Sequence, residues 1–351
     1  MKKIFLFIAA AAISFTAYSQ STVKGYVFDD KNGNGKKDRC EKGIGNVAVS
    51  NGEDVTLTDS NGLYQLPVGN DNPIFVIKPK GYKTNVNNYN LSQFYYIHKP
   101  DGSPTNFKYK GTPPTGKLPK SVDFALTKYN EAEDFNFFAF GDPQPYSLKE
   151  LEYFRNGIVD YAKKEQGVIF GISLGDIAGD NPDLHQPYIE VMKEMSMPWY
   201  NVMGNHDMNH DAKTDKDSDE SFEANFGPVN YAFQYGKAHF IILDDIIYPN
   251  PETNKGYIGG FREDQFKFIE NYLKFVDKND LVIFAFHIPL HHKKDAFITK
   301  DRHRFFEIVK DHNNLLALTA HTHFQTHYFY DKKSGWNGAK PFHEYNVGTT
   351  N

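Results

Sequence analysis

The chain has 351 residues, a net charge of -5, an aromatic content of 15% and a single cysteine, Cys40. This length accommodates two domains with well-buried cores, and the slight acidic balance argues against electrostatic binding to nucleic acid or to an anionic membrane surface. Because there is one cysteine, an intramolecular disulfide and a zinc site built from cysteines are both excluded.

The first residues have the pattern of a secretory signal peptide. A basic pair, Lys2-Lys3, precedes the apolar stretch Ile4 to Ala12, and Ala17-Tyr18-Ser19 fits a small-x-small cleavage site. The apolar stretch is too short for a membrane-spanning helix. We therefore expect residues 1–19 to be removed and the protein to be exported to the periplasm or the cell exterior, without a membrane span. The alternative is an uncleaved N-terminal anchor.

The next hundred residues alternate short apolar–polar stretches with turn residues, which predicts β-strands. The predicted strands are Val23–Phe28, Ala48–Ser50, Val55–Thr58, Leu63–Leu66, Ile74–Ile77 and Ser121–Thr127. Five prolines between Lys99 and Pro119 indicate an irregular loop. The pattern is typical of a small Ig-like β-sandwich, which we expect to occupy residues 20–130.

The turn after the first strand matches a calcium-binding loop pattern, D-x-[DN]-x-[DN]-G-x5-E. The predicted ligands are the side chains of Asp30, Asn32, Asn34, Asp38 and Glu41 and the carbonyl of Lys36. Strands rather than helices flank this loop, so the pattern favours a static extracellular calcium site over a sensor. An ion-free Asn-Gly hairpin is the alternative.

After Glu133 the chain alternates strands with helices, which predicts a layered α/β domain over residues 131–351. Strands are predicted at Phe135–Phe140, Val168–Leu174, Trp199–Met203, Tyr231–Tyr235, His239–Leu243, Leu281–Phe286, Leu315–Thr319 and Gln325–Tyr330. Helices are predicted at Ser147–Lys164, His185–Met195, Arg262–Val276 and Arg302–Asp311. The polar run Asn209–Ser221 is predicted to be a solvated loop.

Five of these strands are followed directly by side chains that bind metal ions. The clusters are Asp142 with Gln144, Asp176, Asn205 with His206 and Asp207, His287, and His321 with His323. Because the carboxyl ends of the strands share one edge of an α/β sheet, we expect the clusters to lie together. Carboxylates, amides and imidazoles suit Mn, Fe, Zn or Mg, and their number suits two ions. Each residue alone could equally be a cap or a turn residue.

The motifs have a recognisable order along the chain. Asp-x-Gln, Gly-Asp-x-x-x-Asp, Gly-Asn-His-Asp, a single His after a strand and Ala-His-Thr-His follow one another between Asp142 and His323. Together they resemble the calcineurin-like metallophosphoesterase superfamily, which includes purple acid phosphatases and bacterial phosphodiesterases, from Phe135 to Asn351. The resemblance implies a four-layer α/β/β/α domain. It also implies hydrolysis of a phosphorylated small molecule or of a phosphodiester.

The resemblance further implies a role for each residue. One metal ion would be bound by Asp142, Gln144, Asp176 and His323, and the second by Asp176, Asn205, His287 and His321. His206 is similar to the residue that binds the phosphoryl group and protonates the leaving oxygen, and Asp207 would orient its ring. A hydroxide that bridges the two ions would attack phosphorus in line with the leaving group.

Two residues depart from the family pattern. Gln144 stands where histidine is usual, and its neutral carbonyl oxygen is expected to weaken the first site and to favour Mn or Mg. Ala320 replaces the usual glycine, which costs about 1 kcal/mol if the backbone there has a positive φ. These departures favour an alternative function, a surface binding protein whose phosphoesterase domain is catalytically impaired.

The N-terminal half carries a second resemblance. Gly25 to Leu66 resembles the SdrD-like B repeat, a calcium-binding Ig-like module, and is similar to the N-terminal domain fused to metallophosphoesterases in secreted proteins of the Bacteroidetes type. Relatives with this module usually continue into a further C-terminal domain. The resemblance therefore raises the alternative that a chain ending at Asn351 is truncated and lacks one wall of the substrate cleft.

Overall fold

The computed structural model describes residues 21–291 and 296–350, so the predicted signal peptide lies outside the described residues. The strands in this part of the chain are β1 (Ser21–Asp29), β2 (Ala48–Ser50), β3 (Val55–Leu57), β4 (Leu63–Val68), β5 (Asn72–Val76), β6 (Tyr82–Thr84), β7 (Tyr95–His98), β8 (Phe124–Lys128), β9 (Asn136–Phe140), β10 (Val168–Leu174), β11 (Trp199–Val202), β12 (Tyr231–Tyr235), β13 (Ala238–Ile242), β14 (Ile246–Ile247), β15 (Ile258–Gly259), β16 (Leu281–Ala285), β17 (Asn314–Thr319), β18 (Thr326–Tyr330) and β19 (Phe342–Asn346). The α-helices are α1 (Leu148–Phe154), α2 (Asp160–Ala162), α3 (His185–Met192), α4 (Glu220–Phe226), α5 (Glu263–Leu273) and α6 (Thr299–Val309).

The N-terminal region is rich in β-structure and contains two four-stranded sheets. Their strand orders are β4-β1-β8-β6 and β3-β2-β5-β7. β1 alternates as its sequence predicts, with Val23 and Val27 buried in the core. The proline-rich residues 99–119 form no strand or helix, as predicted. The short strands β6 and β7 were not predicted.

The C-terminal region is built on two further sheets that face each other. β9, β10 and β11 form a parallel three-stranded sheet, and a six-stranded sheet has the order β12-β13-β16-β17-β19-β18. Aromatic rings fill the space between the sheets: Phe170 of β10 contacts Phe233 and Phe240, and Tyr200 of β11 stacks on Phe233 at 4.0 Å between ring centroids. This interface explains the high aromatic content, because large rings bury much apolar area.

Helices cover the outer faces of both sheets. Phe154 of α1 contacts Phe140 of β9 at 6.2 Å, and Phe305 of α6 contacts Phe284 of β16 at 4.8 Å between ring centroids. The order of layers is therefore helix, sheet, sheet, helix. The predicted mixed α/β fold, preceded by a β-rich N-terminal region, is confirmed.

Besides the short strands β6, β7, β14 and β15, three features of the fold differ from the predictions. The predicted helix Ser147–Lys164 is interrupted by a π-helical stretch, Arg155–Val159. The segment predicted as a solvated loop runs into α4, in which Glu220 is buried because it pairs with the distant Lys99 at 2.6 Å. The unpredicted β19 inserts between β17 and β18. The secondary-structure propensities of the residues in each segment did not predict these features, because the features depend on partners elsewhere in the chain.

Glu344 of β19 provides a test of this packing. Its carboxylate is fully buried and accepts hydrogen bonds from the Leu290 N–H, at 2.9 Å, and from the Tyr330 hydroxyl. Burial raises the pKa of Glu344 from 4.5 to about 7. The stability that this group contributes is therefore fully present below its unfolded-state pKa and is lost as the pH rises through the folded-state pKa.

Glu344→Gln is expected to remove this pH dependence. Relative to wild type, its free energy of unfolding should rise by about 2.5 kcal/mol between pH 5 and pH 8. Urea denaturation at both pH values measures the difference, with the exposed Glu165→Gln as the control. An equal effect of Glu344→Gln at the two pH values would contradict the prediction.

Candidate metal centre

The five polar clusters follow strands of two different sheets, and all of them lie at the carboxyl ends. β9, β10 and β11 precede Asp142, Asp176 and Asn205, whereas β16 and β17 precede His287 and His321. The parallel registers β9–β10–β11 and β16–β17 align these ends within each sheet. Packing of the two sheets face to face then brings the two sets of side chains together.

Three of the predicted ligands form the centre of the site. Among the described residues, one group of three or more His, Cys, Asp or Glu side chains has its ligand atoms within 4.8 Å of one another, and it consists of Asp176, His287 and His321. His287 Nε2 lies 3.2 Å from Asp176 Oδ2 and 3.2 Å from His321 Nδ1. His287 Nδ1 lies 2.7 Å from the carbonyl of Leu174, so Nε2 is directed into the cluster.

The remaining predicted ligands surround this group. Asp142 is fully buried, and its Oδ1 lies 3.9 Å from His287 Nε2 and 3.6 Å from His323 Nε2. Gln144 is buried and donates its backbone N–H to the carbonyl of Asp176 at 2.8 Å. The Gln144 amide nitrogen donates to the Tyr146 hydroxyl at 3.3 Å, which leaves its carbonyl oxygen available as a ligand.

Asn205 gives the clearest indication that a cation fits this site. Its side-chain oxygen is buried and has no hydrogen-bond partner within the described part of the chain. A buried amide oxygen without a partner is costly, and a divalent cation would satisfy it. Asn205 lies directly after β11 and beside His206, whose N–H donates to Asp176 Oδ1 at 2.9 Å. The donor set and this oxygen together fit a metal centre.

The backbone is strained at the same residues. Left-handed φ angles occur at Asp142 (42°), Gln144 (39°), Asp176 (51°), His321 (66°) and His323 (62°). Non-glycine residues adopt this region at a cost, and such strain clusters at functional sites. The fold therefore holds these side chains at the sheet edge in conformations that the isolated segments would not favour.

The structure defines the backbone requirements of two small residues beside the cluster. Ala320 is not among the described residues with positive φ, so the predicted cost of replacing glycine there does not arise. Gly204 has no room for a side chain, because an added Cβ would overlap the backbone nitrogen and the carboxylate of Asp176. Its role is a close approach between two neighbouring strand ends.

The carboxylates of the cluster favour a positive charge at its centre. Burial raises the pKa of Asp142 to about 7. Burial also opposes a charged His287, but Asp176 and Asp142 outweigh it and raise the pKa of His287 to about 10. For Asp176, burial is likewise outweighed by His287, and its pKa is lowered. Two buried carboxylates therefore stabilise a cation between them, and a bound metal ion would replace the proton on His287.

The predicted partner of His206 was wrong. The Asp207 carboxylate is buried and faces away from the imidazole: it accepts three backbone N–H groups and lies 3.0 Å from His185 Nε2. Asp180 occupies the predicted role, with its Oδ1 at 2.7 Å from His206 Nδ1. His206 Nε2 lies 4.0 Å from Asp176 Oδ2, so it faces the metal cluster. Asp207 instead fixes the turn that carries Asn205 and His206.

Aromatic side chains beside the cluster were not predicted from the sequence. Tyr146 is 51% exposed, and its ring lies 6.2 Å from that of His206. Tyr257 lies 6.1 Å from the ring of His321. Tyr146 could have been predicted to lie beside the cluster because it follows Gln144 by two residues. No motif near Tyr257 in the sequence indicates that it lies there. His291 contacts Tyr328 at 4.4 Å between ring centroids, and His292 lies outside the described residues.

The six residues predicted as calcium ligands, including the Lys36 carbonyl, lie in one loop between β1 and β2. The Asp30 carboxylate accepts two glycine N–H groups at 2.8 Å, and Glu41 accepts two backbone N–H groups at 2.9 Å. Asn32 and Asn34 donate to Asp38 Oδ2 at 2.8 and 3.0 Å. The loop is thus closed by its own hydrogen bonds, and calcium binding stays a prediction.

No helix within residues 21–291 and 296–350 is long and apolar enough to cross a membrane. No curated protein matches the sequence. Among solved structures, a dimetal phosphatase from Danio rerio (LOC 393393) is 15% identical and matches 62% of this chain and 88% of that chain, with a TM-score of 0.47. That similarity is too distant to bear on function.

Two family models match the chain in separate segments. The model described as the N terminal of calcineurin-like phosphoesterase matches residues 31–113. The model described as calcineurin-like phosphoesterase matches residues 135–325, which is more than half of the chain and includes every predicted ligand of the two-ion centre. The chain therefore belongs to the calcineurin-like phosphoesterase family.

Proposed function

We propose that the protein is an exported binuclear-metal phosphoesterase that hydrolyses a phosphate mono- or diester. The observation that carries this proposal is the convergence of ligands from five strand ends, together with the buried Asn205 side-chain oxygen, which has no hydrogen-bond partner among the described residues. We assign one ion to Asp142, Gln144, Asp176 and His323, and the other to Asp176, Asn205, His287 and His321. Asp176 is then shared by both.

The bound ions would supply a water of lowered pKa and would neutralise charge on the phosphoryl oxygens. The protein supplies the proton for the leaving group. Asp180 lies 2.7 Å from Nδ1 of His206 and fixes the orientation of the ring, so Nε2 is the atom that donates to the leaving oxygen. The Tyr146 ring lies 6.2 Å from that of His206, so it would border a leaving group that receives its proton there.

Metal analysis combined with turnover tests this proposal. The purified protein should contain close to two divalent ions per chain after incubation with Mn. It should release phosphate from a phosphomonoester or cleave a phosphodiester, and a chelator should abolish either activity. A panel of phosphate esters screened by released phosphate then identifies the substrate. Two bound ions without turnover on any ester would contradict the proposal.

A binding protein with an impaired phosphoesterase domain is the second candidate. Gln144 favours it, because a neutral amide in place of the usual histidine is a weaker ligand. The hydrogen bond from the Gln144 amide nitrogen to Tyr146 argues for the enzyme instead, since it leaves the carbonyl oxygen available as a ligand. Addition of Mn separates the two candidates, because only the enzyme gains turnover.

We further propose that the β-rich region, residues 20–130, is an Ig-like module similar to the SdrD-like B repeat and that residues 1–19 are a signal peptide. The two four-stranded sheets support the module, and the N-terminal sequence pattern supports export. N-terminal sequencing of the protein secreted by its natural host is expected to begin at Gln20. A mature chain that begins at Met1 would contradict export by cleavage.

Calcium binding by the loop at Asp30 has its own test. Glu41→Gln removes the charge of the predicted bidentate ligand and keeps one of the two oxygens that accept from backbone N–H groups. Calcium at millimolar concentration should raise the melting temperature of wild type but not of this variant, because the affinity expected of an extracellular site is about 10⁻⁴–10⁻³ M. An equal shift for both proteins would contradict a site at this loop.

A further inference from the structure

Residues 99–119, here called the docking loop, extend from the β-rich region onto the α/β region. Lys99 is buried, and its ammonium lies 2.6 Å from Glu220 and 3.1 Å from Glu223 of α4. The Thr112 hydroxyl donates to Glu223 at 2.9 Å. Because a buried charge left without its partner is costly, these contacts fix the docking loop against α4.

The docking loop also contacts the carboxylate residue that holds His206. Tyr109 is buried, and its hydroxyl donates to the backbone carbonyl of Asp180 at 3.2 Å. The Tyr109 carbonyl accepts from the side chain of Asn209 at 3.1 Å, and Lys108 donates its ammonium to the Tyr109 hydroxyl at 2.6 Å. The Tyr109 ring is therefore held at both ends, by the contact of Asn209 with the Tyr109 carbonyl and by the contacts of the hydroxyl with Lys108 and Asp180.

The backbone of Asp180 has a strained conformation that needs contacts to hold it. Its φ is 57°, in the left-handed region that non-glycine residues adopt at a cost. The Asp180 N–H donates to the carbonyl of His206 at 3.1 Å, and its own carbonyl accepts from Tyr109. The first contact is made with His206, the residue that Asp180 orients. The second is made with Tyr109 of the N-terminal region.

We propose that Tyr109 is a positioning residue, which acts through Asp180 to orient the His206 imidazole towards the leaving group. The N-terminal region thereby completes the active site of the α/β region. This inference rests on the proposed function for the reaction that it affects, but the effect of Tyr109 on the Asp180 backbone is independent of any reaction.

Tyr109→Phe removes the hydroxyl alone and keeps the ring. With an alkyl phosphate ester, whose leaving group must be protonated, kcat is expected to fall about fivefold, the effect of one neutral hydrogen bond. With an activated aryl ester, which leaves without a proton, kcat should change little. In a His206→Ala background the same substitution should have no further effect, because the two residues act in one chain of contacts.

Tyr64→Phe is the matched control. It also removes a buried tyrosine hydroxyl of the N-terminal region that donates to a backbone carbonyl, that of Val122 at 2.7 Å, far from Asp180. Hydrogen exchange of the metal-free protein gives a readout without activity: Tyr109→Phe should accelerate exchange over residues 176–184, and Tyr64→Phe should not.

Several results would overturn the inference: equal loss of kcat with both esters, a further loss in the His206→Ala background, or unchanged exchange over residues 176–184. If the wild-type protein cleaves no ester, the proposed function fails, and the exchange measurement alone decides whether Tyr109 supports Asp180.

Discussion

Asp176→Asn is expected to abolish hydrolysis because it removes metal from the protein. Asp176 is the one carboxylate assigned to both ions, and it lies 3.2 Å from His287 Nε2 within the three-residue group at the centre of the site. An amide of the same size keeps an oxygen but loses the charge that holds two cations. Loss of several kcal/mol of transition-state stabilisation lowers kcat by about 10³-fold or more.

Metal content decides whether this loss has the expected cause. Asp176→Asn should bind fewer than two ions at concentrations that saturate wild type, with turnover partly restored by excess Mn. Asp183→Asn is the control, because it removes the charge of an exposed carboxylate seven residues away. Wild-type turnover in Asp176→Asn, or lost turnover with two ions still bound, would refute the assignment of Asp176 as the shared ligand.

The position of the site could be predicted from the sequence because its signal is local. An apolar run that ends in a metal-binding side chain marks the carboxyl end of a strand, and this reading placed Asp142, Asp176, Asn205, His287 and His321 in one region. The same reasoning located most strands of the α/β region. It required no knowledge of which sheet each strand joins, since both sheets direct their carboxyl ends to the site.

Features that depend on distant partners could not be predicted in this way. The family resemblance assigned Asp207 as the partner of His206, but the turn directs Asp207 towards backbone N–H groups and brings Asp180 to the imidazole instead. Glu220 of α4 was predicted to be solvated because its partner, Lys99, lies 121 residues earlier in the chain. The contact of Tyr109 with Asp180 could not be predicted either, because the two residues are also far apart in the sequence.

His206→Ala is expected to lower turnover while both metal ions remain bound. His206 is not an assigned ligand, but its Nε2 faces Asp176 at 4.0 Å and its Nδ1 is held by Asp180 at 2.7 Å, the geometry of a positioned proton donor. Loss of a general acid lowers kcat by about 10²–10⁴-fold. The loss should be largest for alkyl esters and smaller for activated aryl esters, which depart without protonation.

His210→Ala is the control for this prediction. His210 Nε2 lies 3.1 Å from the same Asp180 oxygen, but both side chains are largely exposed, so the pair is worth at most about 1 kcal/mol and kcat should change less than about fivefold. An equal loss of turnover in His206→Ala and His210→Ala would mean that the reaction requires Asp180 rather than the His206 imidazole. Loss of bound metal in His206→Ala would instead place His206 among the ligands. Only a large loss of turnover on alkyl esters, with two ions bound and His210→Ala active, identifies His206 as the proton donor.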